Sequence, residues 1–210
     1  MSLKNFPANL VNSLAKVVKG RLRFKSVTGF RFSMLENIKC KRLEFAYMTI
    51  PDRVAKDITF SGSIHLNNIY FYKSASGLLK TITCDGSNSL EELHLQQMDV
   101  SCISVNTINT LAKMVKKSLR LEKVTGFSLS ILQNIKCERL DIRNMRLLPT
   151  KDKDFNVSIS GKVRLEKLSG HVTGLLNILS CDCLMIEKMK LDKDATRNKS
   201  GQGNFRGWKG

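Results

Sequence analysis

Leu119-Arg120-Leu121-Glu122-Lys123-Val124 is the stretch whose reading decides the fold, because the chain keeps returning to its rhythm. Apolar residues stand at its first, third and sixth positions. The same spacing starts at Leu22 (LRFKSV), Leu43 (LEFAYM), Ile64 (IHLNNI) and Leu93 (LHLQQM). It starts again at Leu140 (LDIRNM), Val163 (VRLEKL) and Leu184 (LMIEKM). Successive starts lie 21, 21, 29, 26, 21, 23 and 21 residues apart. Alternation over the first three positions makes each cassette a short strand with one buried side. Recurrence at this period is the mark of a solenoid, in which a repeat buries its apolar side only against its neighbours.

The second half replays the first. Between Leu14–Ile50 and Leu111–Leu147, an offset of 97, twenty positions are identical, among them VTGF at 27–30 and 124–127 and NIKC at 37–40 and 134–137. Later coils correspond through Gly62/Gly161, Leu66/Leu165, Gly77/Gly174 and Cys84/Cys181. A four-coil block has been duplicated.

Working outward, residues 5–18 place Phe6, Leu10, Leu14, Val17 and Val18 on one side of a helix, so 1–20 reads as an N-terminal capping helix. Phe30 to Cys40 carries apolar residues at helical spacing for two or three turns, and Gly77–Ile82 repeats that pattern. Pro51 closes the second strand, since it has no N–H for a ladder. Asp85–Ser89 is a turn-rich insertion. The eight coils occupy 21–191, and 192–210 reads as a disordered basic tail in which Phe205 and Trp208 stand alone.

The fuller pattern is Cys40-x-x-Leu43-x-Phe45-x-x-Met48-x-Ile50, repeated from Cys137, from Cys181 and, with Leu in place of Cys, from Leu90. It resembles the leucine-rich repeat, L-x-x-L-x-L-x-x-N/C-x-L. The longer coils are similar to the repeat regions of intracellular nucleotide-binding receptors and ribonuclease inhibitors. The resemblance implies an α/β repeat solenoid: a horseshoe with a parallel concave sheet and short convex helices. One departure stands out. Where the family has Asn or Cys, this chain has Val27, Met48, Ile69, Met98, Val124, Met145, Leu168 and Met189. Packing and glycines are therefore expected to hold the turns.

Composition agrees with a folded, aliphatic-cored chain: 42% of its 210 residues are hydrophobic and 7% aromatic. No apolar run reaches the length of a membrane span, and the N-terminus lacks a secretory leader, which predicts a cytoplasmic or nuclear protein. The net charge of +17 favours anionic partners such as nucleic acid or acidic lipid. No aromatic interleaving or nucleic-acid motif accompanies it, so lysines decorating a convex surface are the preferred explanation.

Cys40, Cys84, Cys137 and Cys181 fall at equivalent repeat positions and read as core thiols. Cys40 and Cys137 lie four coils apart, about 20 Å at roughly 4.8 Å per strand, beyond disulfide reach. Cys181-x-Cys183 has no second ligand pair, and His65 and His94, neighbours on adjacent coils, have no third ligand, so no metal site is expected. His171 lies in a connection. The sequons at Asn156 and Asn198 carry little without secretion, and the tail's GQGNFRG follows no strand. No nucleophile–base pair or phosphate loop appears, and neither enzyme chemistry nor a cofactor is expected.

The outward strand positions carry the functional reading. The second cassette position gives Arg23, Glu44, His65, His94, Arg120, Asp141, Arg164 and Met185. The fourth gives Lys25, Ala46, Asn67, Gln96, Glu122, Arg143, Glu166 and Glu187. Opposite charges alternate from coil five to coil seven, which sets register and leaves a mixed-charge, solvent-facing surface. That surface predicts a monomeric, non-enzymatic scaffold that docks a protein through Arg23, Glu44, His65, His94, Arg120, Glu122, Asp141, Arg143, Arg164 and Glu166. The alternative is an anion-binding protein, for nucleic acid or acidic membrane, using a basic rim of Lys39, Lys41, Arg42, Lys136 and Arg139 that flanks the strands. In that rim Lys39 and Arg42 recur across the duplication as Lys136 and Arg139.

Overall fold

The fold is taken from a computed structural model, which describes residues 16–30, 38–50, 62–71, 90–101, 103–148 and 156–189, with Ser13, Leu35, Ile58–Thr59 and Ile82–Thr83. It is an α/β fold built on one sheet. In chain order its elements are β1 (Arg21–Lys25), β2 (Arg42–Ile50), β3 (Ile58–Thr59), β4 (Ser63–Phe71), β5 (Ile82–Thr83) and β6 (Leu90–Asp99). Next come α1 (Val105–Met114), β7 (Val115–Thr125), a 3-10 turn (Leu129–Leu132), β8 (Arg139–Arg143) and β9 (Arg146–Leu147). The last are β10 (Val157–Glu166), β11 (Ser169–Gly170), α2 (Val172–Ile178) and β12 (Leu179–Glu187).

Eight strands pair in sequence order, β1-β2-β4-β6-β7-β8-β10-β12. All seven pairings are parallel. The register is the one the cassettes predict: Leu22, Leu43, Ile64, Leu93, Leu119, Leu140, Val163 and Leu184 are successive partners. A one-residue slip would turn every apolar side chain to the other side, and equal spacing in every coil forbids it.

Along the middle strands the first and third cassette positions are almost wholly buried, from Leu43 and Phe45 to Leu140 and Ile142. Full burial stabilises each such side chain by roughly 1.5–3 kcal/mol over exposure. In the first half Phe24, Phe30 and Phe45 interlock, with ring centroids 5.2–5.6 Å apart. In the duplicate Phe127 alone stays aromatic, packed into the same core as Leu121 and Ile142. At the last strand the column opens: Leu184 is 38% exposed and Cys183 faces solvent, because among the described residues β12 has a strand neighbour on one side only.

The turns use a device the sequence does not display. The fifth cassette residue of every coil has a left-handed backbone: Ser26, Tyr47, Asn68, Gln97, Lys123, Asn144, Lys167 and Lys188, at φ between 50 and 53°. This conformation reverses the side-chain alternation, so the sixth residue returns to the core, where all from Val27 to Leu168 are buried. The ladder is not lost. The N–H groups of Ser26, Asn144 and Lys167 each donate across to the next strand, to Ala46 O, Glu166 O and Glu187 O respectively, all at 2.9 Å. Glycines were expected to hold these turns, but none occupies the fifth position. Gly126 serves later in the coil, at φ 72°, where a Cβ would meet Ser101 at 2.7 Å.

The connections are less helical than expected. Leu129–Leu132 forms a 3-10 turn and Leu35, its equivalent in the first block, has the same backbone, while the rest of the helix expected within Phe30–Cys40 lies largely outside the described residues. The longer of the two described α-helices is α1, which occupies in the second block the place of the N-terminal segment and precedes β7. Ser104 caps it by accepting from Thr107 N at 3.2 Å, and Ile108 and Leu111 are its buried anchors. Buried Asn109 ties it to the 3-10 turn, donating from Nδ2 to Ile131 O at 2.7 Å and Gln133 O at 2.9 Å. At the N-terminus Lys16 and Val17 are helical; among the described residues of that segment Val17 is exposed and Val18 packs on the core. The rest of that segment, Gly77–Lys80, Asp85–Ser89 and the tail lie outside the described residues.

Candidate functional site

The face of the sheet opposite the core carries three columns of side chains. Two were read from the sequence, and their registers hold: Arg120, Asp141 and Arg164 are successive partners, as are Glu122, Arg143 and Glu166. The third is the residue just before each cassette, whose column runs Arg21, Arg42, Ser63, Glu92, Ser118, Arg139, Lys162 and Cys183. It shares its side with the second and fourth positions because side chains alternate. Arg42 and Arg139, expected on a flanking rim, are therefore the first residues of β2 and β8 and belong to this face. Lys39, Lys41 and Lys136 are exposed and precede those strands.

The columns are joined by ion pairs into two groups. On β1–β6, Glu44 lies 2.7 Å from Arg21 and 3.5 Å from Arg23, and Glu92 pairs with Arg42 at 3.5 Å, with the uncharged His65 imidazole 3.6 Å away. On β7–β12, Asp141 gathers three guanidiniums: Arg139 at 3.0 Å, Arg143 at 3.2 Å and Arg120 at 3.7 Å. Glu166 then takes Arg164 at 3.0 Å and Arg143 at 4.0 Å, and Arg164 reaches Glu187 at 3.3 Å. Glu122, placed beside Arg143 by register, accepts instead from Gln96 Nε2 at 3.2 Å.

The expectation that these ladders face solvent throughout is corrected here. Asp141 is 1% exposed and Glu44 7%, while the arginines around Asp141 keep 28–41% of their side chains exposed. The cause is length. An Asp carboxylate sits close to the sheet, and arginine stems from three positions fold over it while their guanidiniums stay near water. The pairs at Asp141 are thus partly desolvated and stronger than exposed ones.

His65 and His94 are edge-to-face, with ring centroids 5.4 Å apart. Burial, followed by the neighbouring His65, Arg120 and Arg143, pushes His94 down to about 4. Burial and then Arg42 lower His65 as well. Both imidazoles are neutral at pH 7 and contribute no cation to the face. Three or more possible metal ligands do not come together among the described residues.

Cys40 and Cys137 are buried thiols, as read; burial pushes Cys137 up to about 11, and its Sγ donates to Arg139 O at 3.3 Å. Cys181 is half-buried at the open edge strand, so its place in the core is only partial. His171 is the exposed residue before α2. No helix among the described residues is long and apolar enough to cross a membrane.

Between His94, Arg120, Leu121, Glu122, Asp141 and Arg143 the face dips into a depression of about 140 Å³. That is smaller than the roughly 300 Å³ at which small-molecule pockets begin. Comparison with protein-family models, curated proteins and solved structures gives no match.

Proposed function

We propose that the chain is a non-enzymatic interaction scaffold, a leucine-rich-repeat-like solenoid whose outward strand face docks a protein partner. The observation that carries this reading is the three-column face. Eight strands in register lay it out over roughly 34 Å, at about 4.8 Å per strand, which is the scale of a protein–protein contact. Its charges pair sideways into networks rather than converging on one cleft, an arrangement that favours docking and register over bond chemistry. Arg23, His65, His94, Arg120, Glu122, Arg143, Arg164 and Glu166 are its contact residues, joined by Arg42 and Arg139, while the buried Glu44 and Asp141 hold the arginines from beneath.

The competing use is polyanion binding by the basic rim. With Arg42 and Arg139 engaged by carboxylates on the strand face, that rim is reduced to Lys39, Lys41 and Lys136. Capture at low and high salt separates the two. A face variant (Arg143→Glu with Arg164→Glu) is expected to lose bound protein that a rim variant (Lys39→Glu with Lys136→Glu) retains. Loss from the rim variant alone, together with nucleic acid released steeply by salt, assigns the rim instead.

A further inference from the structure

We infer that the depression between Arg120 and Arg143 is the anchor point of the face and takes a single carboxylate side chain from an extended segment of the partner. This rests on the scaffold reading above and names the chemistry of the partner. Among the described residues, Asp141 is the only carboxylate within ion-pairing distance of Arg120 and Arg139, and Arg143 shares it too. Three guanidiniums thus converge on one carboxylate whose side chain is 2% exposed, and their own side chains remain 41%, 38% and 28% exposed. The buried acid fixes their heads in place, and each side chain keeps part of its surface open to solvent. Arg120 and Arg143 line the depression from opposite strands of the β7–β8 pair. A planar carboxylate entering between them receives N–H groups from both sides, the geometry in which guanidinium is strongest.

The neighbouring carboxylates select against a polyanion. Glu122 lines the same depression and is held by Gln96, and Glu166 follows on the next strand. Closely spaced phosphates crossing this face meet an acid on either side of the arginines. A peptide with isolated Asp or Glu residues, each flanked by hydroxyl or amide donors, meets arginine with its acid and Glu122 with its donors. His94, neutral on the depression wall, leaves the cation count to the arginines.

The test is an NMR titration of the whole chain with a short peptide of alternating Glu and Ser, following arginine Nε–Hε signals. Saturable shifts at Arg120 and Arg143 are expected. Arg143→Gln should weaken binding about tenfold, the loss of one charge-assisted contact, whereas Lys39→Gln with Lys136→Gln leaves it unchanged. The Gln–Ser peptide should not bind. Because Arg143→Gln touches a structural network, Arg120→Gln is measured beside it, with thermal melting of both variants. No shift at these arginines, or equal weakening by the two lysine changes, overturns the inference. So does tighter binding of a single-stranded oligonucleotide through the same arginines. If the peptide fails while the face variant still sheds captured protein, the scaffold reading stands and only the carboxylate anchor falls.

Discussion

Arg139 Nη2 lies 3.0 Å from Oδ2 of Asp141, two residues further along β8. A cation two positions from an acid on one strand shares its side of the sheet, so this pair places Arg139 on the sheet face opposite the core rather than beside it. It also closes the third side of Asp141, which then holds three arginines and almost no water.

Removing that acid exposes what it does. Asp141→Ala leaves three guanidiniums facing one another, and is expected to destabilise the fold by about 2 kcal/mol. That is below the roughly 3–5 kcal/mol of a fully buried pair, because the arginine heads remain partly solvated. Arg139→Gln, which leaves two partners for the acid, should cost under about 1 kcal/mol. Urea midpoints at unchanged slope measure both. Equal, small shifts would show that Asp141 is no hub.

The histidine pair gives the fold a pH dependence of definite sign. His94 titrates near 4 in the folded state and near 6.5 when unfolded, so between those values the unfolded chain binds more protons. Stability must therefore fall as pH drops from about 6.5 to about 4, and His65 acts in the same direction. Melting temperature followed across that window should decline, and His94→Gln should flatten the decline. A melting curve in which the wild type and His94→Gln run parallel would falsify this assignment.

Much of this architecture was legible from the sequence, and the reasons are physical. Strand order and register follow from apolar residues at fixed spacing, since every coil must bury the same two positions. The third outward column was not legible, because Lys41 and Arg42 are both basic and nothing marks where the strand begins. Burial of Asp141 was hidden for another reason: it arises from arginines of neighbouring positions folding over one short side chain, a relation that a single strand does not display. The left-handed residues left no trace at all. Ser, Tyr, Asn, Gln and Lys share no chemistry, and the next position, where the leucine-rich-repeat pattern has Asn or Cys, is filled here by core residues.

The position of a coil in the array should set the cost of cutting its core residue. Leu140 is fully buried between β7 and β10, whereas Leu184 on β12 is 38% exposed. Leu140→Ala is expected to cost about 2–5 kcal/mol, while Leu184→Ala should stay under about 1 kcal/mol. Leu140→Asp, which buries a charge at the same place, should unfold several neighbouring coils together. Hydrogen exchange reads the difference. Protection lost only locally on Leu140→Asp would show that the coils do not share stability through their interfaces.

The left-handed residue of coil five offers a test of the turn device itself. Lys123 holds φ at 52° with its side chain exposed, so its identity matters to the backbone and hardly to packing. A non-glycine residue is disfavoured there by roughly 1–2 kcal/mol, part of which glycine recovers, less its greater unfolded-state entropy. Lys123→Gly is therefore expected to stabilise the chain by up to about 1 kcal/mol. Lys123→Val, whose branched Cβ resists this conformation, should destabilise it by a similar amount. The opposite order is the ordinary one for a regular strand, where valine is preferred and glycine weakens the ladder. Chemical denaturation of the two variants thus distinguishes a left-handed turn from a continuing strand at this residue. Valine proving the more stable of the two would remove the turn device from coil five.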